Sequence, residues 1–398
     1  MRTAKGIVAA LGLALGARAA SLQIGAWVGG SGTYPQPTQA NVEAFETLQG
    51  RNLDFVQVYA IWDSDDWAWT RTYADIADSS GATLLVTWMP NGYSAPDILA
   101  GTEDAYIAKY AHDIKGYGHE VWIRTLHEAN GNWYSWGVAN SSGLNTDSNV
   151  AAAYRHIVGI FQDSGVANVK WVWTTSSSNS SGATFAGNYP GDAYCDYVSI
   201  DGYNWGTSQT VAADGWASSW QTFAQVFSAS YQALASIDKP LFIPEFGSSE
   251  KGGDKAQWIR DAFASVSTTF PRIFALMWFN QSSDADWALT TSDSATLAWK
   301  ECVAEYASSP SAGIAHVASH DPATFARALG NGRIGLELGS DASVRIRVSD
   351  LRGSLLDRRD LGSLPAGSHV LDLGRAHGIR LVTVQAGSRT ATLRLAGG

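Results

Sequence analysis

Eight short runs of apolar and β-branched residues recur along the first three quarters of this chain, separated by segments of helical spacing. The runs are Leu22–Trp27, Phe55–Tyr59, Thr83–Trp88, Val121–Leu126, Val169–Thr174, Tyr197–Tyr203, Leu241–Glu245 and Ile273–Asn280. Helical patterns lie between them, as at Ala40–Leu48, Glu103–Ile114, Val150–Phe161, Trp216–Leu234, Asp254–Val266 and Ser294–Tyr306. Several runs are apolar at consecutive positions, as parallel strands buried on both faces must be. Strand and helix alternating eight times predicts an α/β chain closed into a (β/α)8 TIM barrel. An open doubly wound sheet is disfavoured, because no early strand leads into a Gly-rich phosphate-binding turn.

The chain has 398 residues, more than one such barrel needs, and its composition changes where the barrel should end. Ser-Ser-Pro-Ser-Ala-Gly at 308–313 opens a linker placed at 308–316. From Gly313 to Gly398 there is no Trp, Tyr or Lys, and 11 Arg carry all the fixed positive charge. Short alternating runs at Arg333–Leu338, Val344–Asp350, Ser354–Asp360, Ser368–Leu373, Ile379–Gln385 and Thr390–Leu395 predict a small all-β, sandwich-like C-terminal domain over 317–398.

At the other end, Met1-Arg2-Thr3-Ala4-Lys5 precedes an apolar stretch and Ala17-Arg18-Ala19-Ala20. This is the pattern of a signal peptide over 1–20, cut near Ala19 or Ala20, which leaves the barrel at 21–307 and predicts a secreted, cell-surface or periplasmic protein. No other segment is long and apolar enough for a membrane helix, so no span is expected in the mature form. The only cysteines are Cys195 and Cys302, too few for a disulfide framework. Whether they bridge is left open by sequence, which does not place their Cα atoms.

A formal net charge of −10 argues against nucleic acid as a partner. The 17 Trp and 15 Tyr exceed what the core calls for, so part of them should line a surface. Aromatic faces suit the C–H face of a pyranose ring, which makes a neutral polysaccharide the expected partner of a monomeric chain.

In a barrel of this kind, chemistry sits at the C-terminal ends of the strands. The fourth run ends in His127-Glu128-Ala129-Asn130-Gly131-Asn132-Trp133, and the seventh in Pro244-Glu245-Phe246-Gly247. Two glutamates facing each other across a barrel mouth can flank a glycosidic bond, one protonating the leaving oxygen and one attacking the anomeric carbon. No metal or organic cofactor is needed for that reaction. His127-Glu128 is not a zinc-protease motif, because Gly131 stands where the second His would be. His127 is read as a donor to a sugar hydroxyl or a carboxylate. The acidic run Asp63-Ser64-Asp65-Asp66 lacks the glycine and terminal glutamate of a calcium loop and reads as helix capping or solvated surface. Tyr203, at the end of the sixth run, is the candidate to hold the nucleophilic carboxylate. Trp278 is expected beneath the sugar at the cleavage point, with Trp88 and Trp133 as further substrate contacts.

His127-Glu128 with Asn130-Gly131-Asn132-Trp133, Tyr189-Pro190-Gly191-Asp192 leading into Asp201-Gly202-Tyr203-Asn204-Trp205, and Pro244-Glu245-Phe246-Gly247 together resemble glycoside hydrolase family 26. The resemblance runs from about residue 22 to 306, with the motifs in order. It implies Glu128 as acid/base, Glu245 as nucleophile, Tyr203 as the nucleophile's partner, and His127, Trp133 and Trp278 as substrate contacts. That family holds endo-β-mannanases, mixed-linkage β-glucanases and some xylanases. Family prevalence puts β-mannan first, mixed-linkage β-glucan close behind and xylan third. Two departures weigh against mannan. Trp88-Met89-Pro90-Asn91 stands where mannanases often carry a His, and Phe279 where they carry an Arg. The C-terminal segment resembles small β domains used for sorting or attachment. A carbohydrate-binding module is disfavoured there by the missing Trp and Tyr. Two rival functions share every residue named: a catalytically silent glycan-binding barrel and a transglycosylase.

Overall fold

The computed structural model describes residues 21–29, 36–307 and, within 326–396, all but 331–332, 339, 350–354, 374–378 and 388. The signal segment, the linker and the strand-end positions Asp350 and Ser354 lie outside the described residues. The chain divides into two compact units, Met1–Ser308 and Ser309–Gly398.

In the first unit, eight parallel strands close in sequence order: β1 Gln23–Trp27, β2 Phe55–Ile61, β3 Thr83–Met89, β4 Val121–Thr125, β5 Val169–Ser176, β6 Tyr197–Asn204, β7 Leu241–Ser248 and β8 Ile273–Phe279. β1 pairs with both β2 and β8, which completes the barrel. Around it lie α1 Gln39–Gln49, α2 Trp67–Ser80, α3 Ala95–Leu99, α4 Asp104–Tyr117, α5 Asp147–Asp163, α6 Val211–Asp214, α7 Phe223–Ala233, α8 Lys255–Thr268 and α9 Asp293–Tyr306. Helix starts follow the capping residues. Asp66, from the acidic run, accepts from Trp69 N at 2.9 Å and opens α2, while Thr146 and Thr222 form capping boxes at α5 and α7. Among the described residues no helix is long and apolar enough to cross a membrane. Cys195 and Cys302 are both buried free thiols.

Two details differ from the regular alternation. No helix joins β5 to β6; the link at 177–196 is loop, as its Ser-Ser-Asn-Ser-Ser-Gly start dictates. The helix predicted over Trp216–Leu234 begins only at Phe223, because Thr222 caps it and Gln221 N is held by Asn204 Oδ1 at 2.9 Å. Trp216 is thereby left on a loop.

The barrel interior is layered. Phe55, Trp122, Tyr197, Phe242 and Phe274 fill its lower end, with Trp122 stacked on Tyr197 at 3.9 Å. Above them, Gln57, Thr87, Arg124 and Asp201 form a polar layer. Tyr59, Tyr203, Glu245 and Phe279 form the top, open to the cleft.

The second unit contains two antiparallel sheets. One is ordered β13-β10-β9 (Gly367–Asp372, Arg333–Leu338, Ala326–Gly330) and the other β12-β11-β14-β15 (Leu355–Leu364, Ala342–Ser349, Ile379–Ala386, Arg389–Ala396). Both contribute to one core, which includes Ile334, Leu336, Val344, Ile346, Val348, Val382 and Val384. β9 was not legible in the sequence, since Ala-Arg-Ala-Leu-Gly carries no β-branched residue.

Candidate active site

Glu128 follows β4 and Glu245 lies in β7, and both line one cleft of about 770 Å³ at the C-terminal ends of the strands. Glu245 Oε2 accepts from Tyr203 Oη at 2.8 Å. Its Oε1 is paired with the Arg124 guanidinium and lies 3.3 Å from Gln57 Nε2. Arg124 is wholly buried and also pairs with Asp201, while Thr87 Oγ1 accepts from its Nε at 3.1 Å and its Nη2 at 2.8 Å. One cation therefore serves two buried carboxylates, an arrangement tolerable in a barrel interior only because each charge is paired.

The two glutamates are set apart electrostatically. Burial, and then the negative Glu245 nearby, push the Glu128 carboxyl up to about 7. Burial also works to raise Glu245, but the Arg124 charge and the hydrogen bonds it receives hold it down at about 2. Trp133 Nε1 donates to Glu128 Oε2 at 2.8 Å, which leaves Oε1 to carry the proton. The Glu128 backbone is left-handed, with φ of 52°, as is Leu126 at 49°. Glu128 N donates to Thr174 O at 3.1 Å, tying this residue to β5.

The cleft's far wall comes from the loop after β8. Trp287 tilts against Tyr203 at 4.8 Å and stands edge-on to Trp205 at 4.9 Å. Lys255, at the start of α8, secures that loop from below. Its buried Nζ donates to the carbonyls of Asp286 and Ala288, both at 2.7 Å, and to Thr291 Oγ1 at 2.9 Å. Among the described residues no group of His, Cys, Asp and Glu is placed to hold a metal ion.

A model of glycosyl hydrolase family 26 matches residues 39–277, well over half of the chain. The chain belongs to that family. Endoglucanase H of Acetivibrio thermocellus is 46% identical over 297 residues, 74% of this chain, and the chain spans 32% of that relative's length. A mannan endo-1,4-beta-mannosidase of Bacillus subtilis is 25% identical over 45% of this chain and 44% of its own. Among solved structures, a double mutant of the Cellulomonas fimi endo-beta-1,4-mannanase has the same fold. It aligns with TM-score 0.55 and 16% identity over 94% of each chain. A Bacteroides ovatus β-mannanase aligns with TM-score 0.51 and 15% identity, over 72% of this chain and 89% of that one.

Within this family 26 barrel, Glu128, Glu245, Tyr203 and Trp133 come together in the cleft as the sequence predicts. Three expected contacts do not. Trp278 is fully buried against Phe246, Trp258 and Trp299, with Nε1 donating to Trp287 O at 2.9 Å. Trp88 is likewise fully buried, stacked on Tyr110 at 4.5 Å. The reason is strand parity: successive side chains point to opposite faces, so Trp278 and Trp88 face the helices while Phe279 and Thr87 face inward. Phe279 and Trp287 line the cleft in place of Trp278. His127 is 1% exposed, packed between Tyr134 and Trp136, and its Nε2 is 3.0 Å from Tyr134 Oη. Burial, with the Arg124 charge behind it, holds the imidazole well below its usual value and therefore neutral. It sits behind Tyr134, which lines the cleft, and does not itself reach the cleft surface. Arg124, Gln57 and Asp201 were missed as functional residues, though Arg within Val-Trp-Ile-Arg-Thr was a signal: a charge in a fully buried strand demands a buried counter-charge.

The carboxyl settings fix a pH profile. A general acid must be protonated; for Glu128 in that role, kcat/KM is expected to fall as pH rises through about 7. A nucleophile must be ionised, and Glu245 in that role would stay so down to about 2. The acidic limb should therefore lie far below the alkaline one, which initial rates on a soluble substrate across pH would read directly.

Proposed function

We propose that this chain is a retaining, endo-acting glycoside hydrolase cutting β-1,4 bonds in a plant-wall β-glycan, with Glu245 as nucleophile and Glu128 as acid/base. The observation that carries this reading is the opposite setting of two carboxyl groups in one cleft, about 7 for Glu128 and about 2 for Glu245. Below about pH 7 this keeps a proton on the first and a charge on the second, the starting state of a double displacement. Glu245 attacks the anomeric carbon as Glu128 gives its proton to the departing glycosidic oxygen. Bond formation then neutralises Glu245, which removes one of the causes that raise Glu128. Glu128, which has just given up its proton, therefore stays ionised and can take a proton from the incoming water. Tyr203 and Arg124 hold both oxygens of Glu245, fixing which lone pair faces the sugar.

β-Glucan is the substrate we favour. The relative at 46% identity is named an endoglucanase, whereas the mannan-cutting relatives stand at 25% and 27%. Phe279 in the cleft wall, where the mannanase pattern has Arg, agrees with that order. β-Mannan is the second reading. Release of reducing ends from mixed-linkage β-glucan, linear mannan and xylan tests it. Glucan is expected to lead by at least about tenfold, the scale of a mismatched polar contact. Mannan leading would reverse the substrate assignment, and silence on all three with binding retained would leave a glycan-binding barrel. The basic-then-apolar start of the chain supports export, and the C-terminal unit is read as a sorting or attachment module.

A further inference from the structure

We infer that Trp216, backed by Trp205, is a distal sugar-binding platform on the β6 side of the cleft, gripping a β-glycan away from the scission point and favouring long chains over short ones. The inference rests on the hydrolase reading for its consequence in turnover, and on geometry for its existence.

Among the described residues, Trp133 and Trp216 are the exposed tryptophans, at 48% and 45%. Trp133 is engaged with Glu128. Trp216 makes no hydrogen bond to either glutamate, yet it lines the same cleft. Its ring meets Trp205 edge-on, at 5.3 Å and 79°. Trp205 meets Trp287 edge-on at 4.9 Å, and Trp287 leans on Tyr203, which donates to Glu245. An unbroken line of aromatic rings thus runs from the nucleophile to the rim. Edge-on contacts cover at most one face of each ring and leave area for a pyranose.

The loop carrying Trp216 is built to stay in place. Asn204 Oδ1 accepts from Gly206 N at 3.2 Å and Gln221 N at 2.9 Å, anchoring both ends. Between them, Ser218 Oγ accepts from Gln209 N at 3.0 Å, and Gln209 Nε2 donates to Asp284 O at 3.0 Å, joining this loop to the one after β8. A half-exposed ring held at both flanks gives up little freedom on binding. Gln221, Gln225 and Asp284 line the same cleft and supply donors and acceptors for sugar hydroxyls.

The test compares wild type, Trp216→Ala and Trp216→Phe on β-glucan oligosaccharides from three to six sugars. The ratio of kcat/KM on the longest to that on the shortest is expected to fall roughly five- to tenfold in Trp216→Ala, through KM, and to be largely restored by Phe. An unchanged ratio in a folded Trp216→Ala protein, checked by its melting temperature, overturns the inference. Retardation in native gels containing β-glucan reads the platform without turnover. If wild type hydrolyses nothing but Trp216→Ala loses retardation, the platform stands and the hydrolase reading alone falls. Equal retardation of both proteins counts against the platform.

Discussion

Replacing Glu245 by Ala should lower kcat on the order of 10⁴- to 10⁶-fold, the loss typical of a deleted nucleophile. In concentrated azide, which can occupy the space of the missing carboxylate, turnover should return with the glycosyl azide in the α configuration, because the anion attacks the β-glycoside directly. Glu128→Ala should behave differently. On an aryl glycoside, whose leaving group needs no proton, the glycosyl-enzyme still forms, and azide intercepts it to give the β product. Proton NMR of the two azides therefore tells nucleophile from acid/base. Exchanged configurations would mean that the two roles have been assigned the wrong way round, and unaffected activity in both variants would remove the two-glutamate mechanism.

Arg124→Met is expected to be the most disruptive change outside those carboxylates. It leaves Asp201 and Glu245 buried without their shared cation, a loss of about 3–5 kcal/mol by the usual cost of orphaning a buried charge. Glu245 would also lose the main influence opposing the effect of burial. Its pKa would rise, the acidic limb of the rate profile would move up toward neutrality, and kcat should fall about 10²- to 10³-fold. Urea denaturation and a pH series separate these effects. Adding Asp201→Asn should recover part of the stability, since one of the orphaned charges is gone, without restoring the rate. Arg124→Lys should not rescue fully, because a point charge does not replace a planar fork that reaches two carboxylates and Thr87. A stable, fully active Arg124→Met protein would show that the network neither supports the fold nor tunes the nucleophile.

The strands were legible because parallel strands buried on both faces are written as continuous apolar runs, and the described barrel keeps all eight within a few residues. The carboxylate pair was legible for a related reason: glutamates at the ends of such runs are out of place in a core. α2 was less visible. Its buried residues Trp67, Thr70, Ala74 and Ala77 make a narrow stripe containing two alanines and a threonine, easily lost among its polar positions. Trp278 and Trp88 were misplaced because reading a strand end does not by itself give its parity, and a shift of one residue exchanges cleft for core. Trp287 was invisible for another reason. It lies on a loop beyond β8 and reaches the site only because Lys255, far from it in sequence, holds that loop's carbonyls.

The left-handed backbone at Glu128 carries a consequence for anyone engineering this barrel. A glutamate at φ of 52° is strained by about 1–3 kcal/mol, and its carboxyl is held at a protonation state that burial imposes. Glycine adopts that backbone freely and buries no acid. A library selected for heat resistance alone would drift toward Gly at 128, producing proteins that fold better and lack the proposed acid/base. Robustness and turnover pull against each other at a single torsion angle, so any screen for a hardier enzyme must score catalysis in the same round.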